Sequence, residues 1–285
     1  MALKKFLMAG IVAAVLAACG DDDSSDFATR PSGDSSSACE DCDGSSSSKA
    51  SSSSLVGRTS CDVNIDENCM KDERDGQTYK TVKIGEQWWM AENLNYRYIQ
   101  QTYNGGVKDS SSYCYSDDPA NCAKYGRLYQ WSAAMDSAGI IPGNTANGCG
   151  YGKDCNLFGN VKVRGVCPEG WHLPDTTEWN ALFTAVGGWA TAGKMLKSTE
   201  GWNDYYGYYV TSGNGSDSYF FSALPAGRRY NNGGFNYEGD YAFFWSSTEF
   251  NSYNAYDMYL YYYDDNAYLG YINKSHGFSV RCLMD

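Results

Sequence analysis

Histidine is nearly missing: His172 and His276 are the only two in 285 residues. A structural zinc site needs histidines in company or paired Cys-x-x-Cys units. Neither histidine has such neighbours, so no metal ligand set is expected. Acyl transfer needs a nucleophile, a base and a group that orients the base, and neither histidine sits in a recognisable nucleophile motif. Basic residues are also scarce, with 22 Lys and Arg against 34 Asp and Glu and a formal net charge of −12. That balance, without any arginine-rich stretch, excludes nucleic acid and anionic membrane surfaces as natural partners. A spanning helix needs about 20 apolar residues, and the apolar run at residues 6–18 falls short of it. No repeat of fixed period appears.

That run has a different use. Lys4 and Lys5 precede it, and it ends Leu16-Ala17-Ala18-Cys19. A basic n-region, a short apolar h-region and this tetrapeptide resemble the lipobox of bacterial lipoproteins. The resemblance implies a signal peptide over residues 1–18, cleavage before Cys19 and a diacylglycerol on its thiol. The mature chain is then anchored by lipid rather than spanning. Residues 19–60 follow as an Asp- and Ser-rich tether, with Asp21, Asp22, Asp23 and serine runs at 35–37, 45–48 and 51–54. Such a segment buries too little apolar surface to offset its conformational entropy. As a coil of about 40 residues it reaches roughly 35 Å. Acidic residues beside a lipidated cysteine resemble surface-export signals of Gram-negative lipoproteins, which implies an exported protein on the outer membrane, at the cell surface. A plain solvated spacer is the other reading.

At Cys61 the composition turns to Trp, Tyr, Gly and apolar residues and stays so to Asp285. Residues 61–285 therefore read as a single domain with one sizeable core. Of eleven cysteines, Cys19 is assigned to lipid, and ten remain in an exported chain. Close spacing pairs Cys61 with Cys69, Cys114 with Cys122 and Cys149 with Cys155, which leaves Cys167 and Cys282 for each other. Cys39 and Cys42 stay in the tether as a small-loop disulfide or a free pair.

Within the domain, alternation on either side of Gly85-Glu86 predicts a β-hairpin over residues 77–91. Residues 130–135 read as a short helix and 139–160 as a stapled loop. Residues 167–182 gather Cys167, His172, Glu169, Asp175 and Glu178, which suggests an active site. The spacing of Asp175 and Glu178 is, however, that of a capping box. Pro174 and Trp179 hold hydrophobic-staple positions, and Trp179, Leu182, Phe183 and Val186 recur at helical period before Gly187-Gly188. Two of the three carboxylates thus have a structural task worth about 1 kcal/mol each, and His172 reads as a satisfied structural histidine. Residues 189–202 form a helix or loop, 220–225 a buried strand continuing through 226–230, and 231–234 a turn. Residues 242–248 are a strand, 255–263 and 267–272 a tyrosine-rich hairpin, and 277–282 the last strand.

Seven separated motifs carry a family likeness: Trp-Met-Ala-Glu-Asn-Leu-Asn-Tyr at 89–96, Tyr-Gly-Arg-Leu-Tyr at 125–129, the 167–182 stretch, Leu-Lys-Ser-Thr at 196–199, Phe-Ser-Ala-Leu-Pro-Ala-Gly-Arg at 221–228, Phe-Trp-Ser-Ser-Thr at 244–248 and Gly-Phe-Ser-Val-Arg-Cys at 277–282. In this order they resemble the Fibrobacter succinogenes major paralogous domain across nearly all of residues 70–285. The resemblance implies exported, often lipid-anchored proteins and no particular activity. More distantly, the 125–129, 167–179 and 277–282 motifs resemble the formylglycine-generating and C-type-lectin-like superfamily. That implies an α+β fold of short helices and twisted antiparallel sheets, stapled by disulfides. It also implies a long-range bridge from the helix region to the last strand, which Cys167–Cys282 matches.

Three functions follow for weighing. The first is a non-catalytic binding module. The 25 tyrosines and 8 tryptophans offer ring faces for sugar C–H groups, with Asn, Asp and Arg for hydroxyls, so polysaccharide is the expected ligand. Tyr259, Tyr261 and Tyr263 share one face of a strand, opposite Met258 and Leu260, and Arg228, Arg229, Asn231 and Asn232 are expected beside them. The second is a structural or protein-interaction module whose partner is an envelope protein. The third, an enzyme, is not expected, and no cofactor is implied. Formylglycine-generating oxidases need two reactive cysteines late in the domain, and only Cys282 follows Cys167. Trp202-Asn203-Asp204 matches a calcium-lectin ligand triplet but lies far upstream of where those lectins place it. Asp217 or Asp264-Asp265 remain as carboxylates for a structural calcium.

Overall fold

Gly85, at φ +59°, turns the chain between two antiparallel strands in a computed structural model that describes residues 61–99, 112–155, 157 and 161–285. The signal peptide, Cys19, the tether, Cys39 and Cys42 lie outside the described residues. In chain order the first elements are β1 (Cys69–Lys71), β2 (Thr78–Ile84), β3 (Gln87–Met90), β4 (Ser112–Tyr113), α1 (Pro119–Tyr125), β5 (Leu128–Gln130) and α2 (Trp131–Ala134). Then come β6 (Trp171–His172), α3 (Thr176–Ala185), α4 (Trp189–Leu196), β7 (Tyr205–Tyr206), β8 (Val210–Thr211) and β9 (Ala226–Arg229). The last are β10 (Phe235–Glu238), β11 (Tyr241–Glu249), β12 (Asn254–Tyr261), β13 (Ala267–Asn273), β14 (Gly277–Phe278) and β15 (Leu283–Met284).

These elements form a mixed helix and sheet domain. One sheet runs β1-β2-β3-β15-β6, the other β13-β12-β11-β9-β14-β5-β4 with β10 beside β9, and β7-β8 is a small ribbon. Between these strands all pairings are antiparallel except the single register of Ala242 with Gly227 between β11 and β9, and the isolated bridges Phe244–Ser279 and Lys197–Ala223 are parallel too. The chain's last strand, β15, lies between β3 and β6, so residues near both ends of the domain close the first sheet together.

Alternation along β11 and β12 decides what each face meets. Ala242, Phe244, Met258 and Leu260 turn to one side and are fully buried. They pack with Trp89, Trp179 and Phe221; the Trp89 and Trp179 rings lie 4.7 Å apart and Trp179 and Phe244 6.0 Å apart. Burying each such side chain stabilises the fold by roughly 1.5–3 kcal/mol. Tyr241, Phe243, Trp245, Asp257, Tyr259 and Tyr261 turn to the other side.

α3 begins as its sequence dictates. The Glu178 N–H donates to Asp175 Oδ1 at 2.8 Å, and the Asp175 N–H donates to Glu178 Oε2 at 3.0 Å. All four spacing-derived disulfides are present: Cys61–Cys69, Cys114–Cys122, Cys149–Cys155 and Cys167–Cys282.

Three expected elements differ. Residues 220–225 form no strand, because Phe220 and Ser222 adopt left-handed backbone at φ +56° and +52°. Asp217 imposes that turn by accepting from the Ser222 N–H at 2.7 Å, and it leaves Phe220 73% exposed and Phe221 fully buried. The final strand is shorter than 277–282: β14 stops at Phe278, Ser279 makes one bridge to Phe244, and pairing resumes at Leu283. Between them Arg281 turns inward, fully buried. Its Nε–H donates to Asn93 Oδ1 at 2.6 Å, Nη1 to the Met90 carbonyl at 3.0 Å and to that of Phe221, and Nη2 to the Ser222 carbonyl at 2.9 Å. A residue that feeds four acceptors with side-chain donors is not free to keep a regular ladder register. Lastly, β12 ends at Tyr261, so Tyr263 sits in the turn rather than on the strand.

Candidate ligand-binding face

The face of β11 and β12 turned away from the Trp89 cluster carries a continuous run of rings. Register sets Tyr241 opposite Tyr261, Phe243 opposite Tyr259 and Trp245 opposite Asp257; on β13, Tyr268 lies opposite Tyr259 and Gly270 opposite Asp257. Tyr241 and Tyr261 stack at 4.0 Å and 12°, Tyr241 and Phe243 at 5.0 Å and 10°, and Tyr259 and Tyr268 at 4.9 Å and 14°. Tyr237 joins Tyr241 at 5.0 Å, while Tyr263 joins Tyr261 at 4.0 Å and Tyr205 at 5.5 Å. Tyr237, Tyr263 and Tyr205 are exposed and Tyr241, Tyr259, Tyr261 and Tyr268 half-buried. Burial and the neighbouring Tyr261 hydroxyl push the Tyr241 phenol up, so the centre of the strip is uncharged at neutral pH.

The sequence-derived candidates divide across this geometry. Tyr259 and Tyr261 lie on the strip as strand neighbours, and Tyr263 reaches it from the turn. Arg228 reaches it too: its guanidinium lies 4.8 Å from the Tyr237 ring, 5.1 Å from Tyr230 and 5.7 Å from Phe243, and its Nε–H donates to Asn236. Arg229, next along the strand, points the other way, 3.9 Å over Tyr113. Asn231 and Asn232 are exposed in the turn before β10, where Asn232 Oδ1 accepts from the Gly234 N–H at 3.0 Å. The strip members Tyr237, Tyr241, Phe243 and Tyr268 escape sequence reading because only strand register brings them beside Tyr259 and Tyr261. Alternation of Tyr241, Phe243 and Trp245 is the signal that could have found three of the face's residues.

Two further polar groups sit on this face. Asp257 is 3% exposed and accepts no hydrogen bond among the described residues. Burial pushes its carboxyl up to about 7, against the pull of the Arg228 charge. His276 is 4% exposed, its ring 4.7 Å from Tyr230. Its Nδ1 lies 3.0 Å from the Asn273 carbonyl, which only accepts, so Nδ1 carries the proton and Nε2 presents a lone pair without a partner. Burial, and then the Arg228 charge, lower its pKa and keep the ring neutral.

The stretch that resembled an active site is a structural knot. His172 is buried with Nε2 at 2.8 Å from Glu178 and Nδ1 at 2.7 Å from Asp285, which ties the start of α3 to the last residue. Burial opposes ionisation of Glu178, but the His172 bond and the Asp175 N–H hold its carboxyl below the usual range. A carboxyl with a depressed folded pKa adds stability above its unfolded value of about 4.3 and loses it as pH falls through the folded value. Glu178→Gln is therefore expected to lower stability by about 1 kcal/mol at pH 7 and to flatten this part of the acid limb, as read by thermal melts between pH 7 and 3.

Other carboxylates considered for metal are occupied by the protein. Asp217 holds the Ser222 N–H and hydroxyl, and Asp264 accepts from the Asn266 N–H and the Tyr268 hydroxyl. In the Trp202-Asn203-Asp204 triplet, Trp202 is buried and Asn203 donates to Asp240 at 2.9 Å. No group of three or more His, Cys, Asp or Glu residues is placed to hold a metal among the described residues. No helix among them is long and apolar enough to cross a membrane.

The sequence model of the Fibrobacter succinogenes major domain matches residues 82–284. The chain belongs to this family. The matched span of the Fibrobacter succinogenes major domain contains the whole aromatic strip, Arg228, Asp257, His276 and the Cys167–Cys282 bridge, whereas β1 and the Cys61–Cys69 staple precede it. No curated protein and no solved structure matches the chain.

Proposed function

We propose that this major domain is a non-catalytic binding module for polysaccharide, carried on an exported lipoprotein whose Cys19 anchors it to the outer membrane at the cell surface. The observation that carries this reading is the contiguity of the tyrosine strip from Tyr205 through Tyr263, Tyr261 and Tyr241 to Tyr259 and Tyr268. Singly scattered aromatics are ordinary on protein surfaces, while a contiguous apolar patch rimmed by polar groups marks an interaction site. Arg228 and Asn236 supply that rim. A lipid anchor and a tether of roughly 35 Å suit a module that meets a polymer beside the cell. We also assign the fold to the C-type-lectin-like architecture, supported by the Cys167–Cys282 bridge between the approach to α3 and the strand region at the C-terminus.

The full chain, extracted from membranes in detergent, is expected to be depleted from solution by insoluble cellulose or xylan, equally with and without chelator. Absence of depletion by any glycan would replace this reading with an envelope-protein partner.

A further inference from the structure

Three chain segments meet around a cavity of about 740 Å³ that shares no residue with the tyrosine strip. One wall is the loop closed by Cys61–Cys69, the next is β2 with residues 91–93, and the third is residues 198–200 with the left-handed turn at 217–222. The first wall is braced: the Asn68 carbonyl accepts from the Thr81 N–H at 2.9 Å and the Cys61 carbonyl from the Thr78 hydroxyl at 3.0 Å. Asp217 and Arg281 brace the third through Ser222 and Phe221. The space is thus held open between fixed walls, and its volume falls within the range of ligand sites, about 300–1,000 Å³.

Two large apolar side chains stand exposed at this cavity, Ile65 at 78% and Phe220 at 73%. Its charge is almost all of one sign. Asp66, Glu67, Glu92, Glu200 and Asp217 line it against a single cation, Lys80. Three of these carboxylates have protein donors: Asp66 takes the Asp62 N–H, Glu92 the Lys80 N–H and Asp217 the Ser222 N–H. Glu67 and Glu200 have neither a side-chain hydrogen bond nor an ion pair among the described residues, and Lys80 Nζ forms no ion pair with any of the five.

We propose that this cavity is a second binding site, taking a basic peptide segment whose lysine or arginine side chain lies along Phe220 and Ile65 and whose positive end is met by Glu67 and Glu200. The site is separate from the tyrosine strip and does not rest on the polysaccharide reading. Chemistry selects the occupant. Long basic side chains lay their methylenes along apolar surface and keep the charged head among polar groups, and a cation is attracted to the face of an aromatic ring. A neutral sugar would leave the carboxylates unanswered, and an anion would be repelled by them. The volume exceeds what one amine fills, so a chain segment carrying the cation fits better than a free amine.

The test uses the full chain in detergent and the fluorescence anisotropy of a labelled peptide of alternating lysine and glycine. Ionic strength is set at about 0.15 M, where exposed charges more than about 8 Å apart are largely screened. Wild type is expected to bind this peptide and not its glutamate counterpart. Glu67→Gln/Glu200→Gln is expected to weaken binding about tenfold or more. Phe220→Asn is expected to weaken it about threefold, asparagine being tolerant of the left-handed backbone there. Both glutamates are exposed and without partners, so the fold, checked by circular dichroism, should not change. Glu86→Gln/Glu169→Gln removes the same charge from other exposed positions and is expected to leave binding unchanged. Equal weakening by that control overturns the site, since the net charge of −12 would then be the attraction. No binding by wild type, or full binding by Glu67→Gln/Glu200→Gln, overturns it too. So does displacement of the peptide by equimolar spermine, which would make the occupant a free amine, or by dissolved xylan, which would make it a polysaccharide.

Discussion

Arg281→Met is expected to lower the unfolding free energy by about 3–5 kcal/mol. The guanidinium serves four acceptors drawn from two parts of the chain: Met90 and Asn93 at the end of β3 and just beyond it, and Phe221 and Ser222 in the left-handed turn. It also lies 4.5 Å from the Phe221 ring. Methionine keeps most of the apolar contact but has no N–H, so buried carbonyls lose their donors at about 1–3 kcal/mol for each one left unsatisfied. Domains are stable by only roughly 5–15 kcal/mol, so most of the margin would go. Urea denaturation reads the loss, and hydrogen exchange should open first at residues 220–222. A variant as stable as wild type would mean that other donors replace the guanidinium.

Removing the Cys167–Cys282 bridge as the double alanine variant is expected to cost about 4–5 kcal/mol in the chain-entropy account. The bridge closes a loop of 115 residues that contains both helices α3 and α4 and the whole aromatic strip. The three short staples close loops of 6 to 8 residues and are expected to matter less, since the denatured chain gains less freedom from opening them. Denaturation of the four paired-alanine variants ranks them. Equal losses across all four would show that strain or local packing, rather than loop entropy, governs the effect.

Local signals were legible in the sequence and distant ones were not. The β2–β3 hairpin, the Asp175 and Glu178 capping box and the short-spaced disulfides depend on residues a few positions apart, and each appears in the structure. The error at residues 220–225 has a distant cause: an apolar run reads as a strand, yet Arg281, 60 residues on, takes the Phe221 carbonyl, and Asp217 bends the turn. The aromatic strip was half legible. Alternation marked Tyr259 and Tyr261 as one face, but Tyr263 left the strand at the turn. Tyr241, Phe243 and Tyr268 join them through cross-strand register that no single strand encodes. Asp257 shares the parity of Tyr259, so its face was readable. Its lack of a partner was not, because that depends on Gly270 and on every neighbour that packs there. His172 is satisfied by Glu178, six residues on, and by Asp285, 113 residues away, and only the first of these partners lies within the stretch that drew attention to it.

The claim that matters most is that the tyrosine strip holds a polysaccharide. Its most direct measurement is affinity electrophoresis of wild type and Tyr241→Ala/Tyr261→Ala through gels with and without dissolved neutral polysaccharide. Wild type should be retarded by at least one polymer, and the double variant, folded by circular dichroism, should run as if the polymer were absent, each lost ring face removing about 1 kcal/mol or more. Equal retardation of both proteins would place binding elsewhere on the domain, and no retardation of wild type by any polymer would contradict the account.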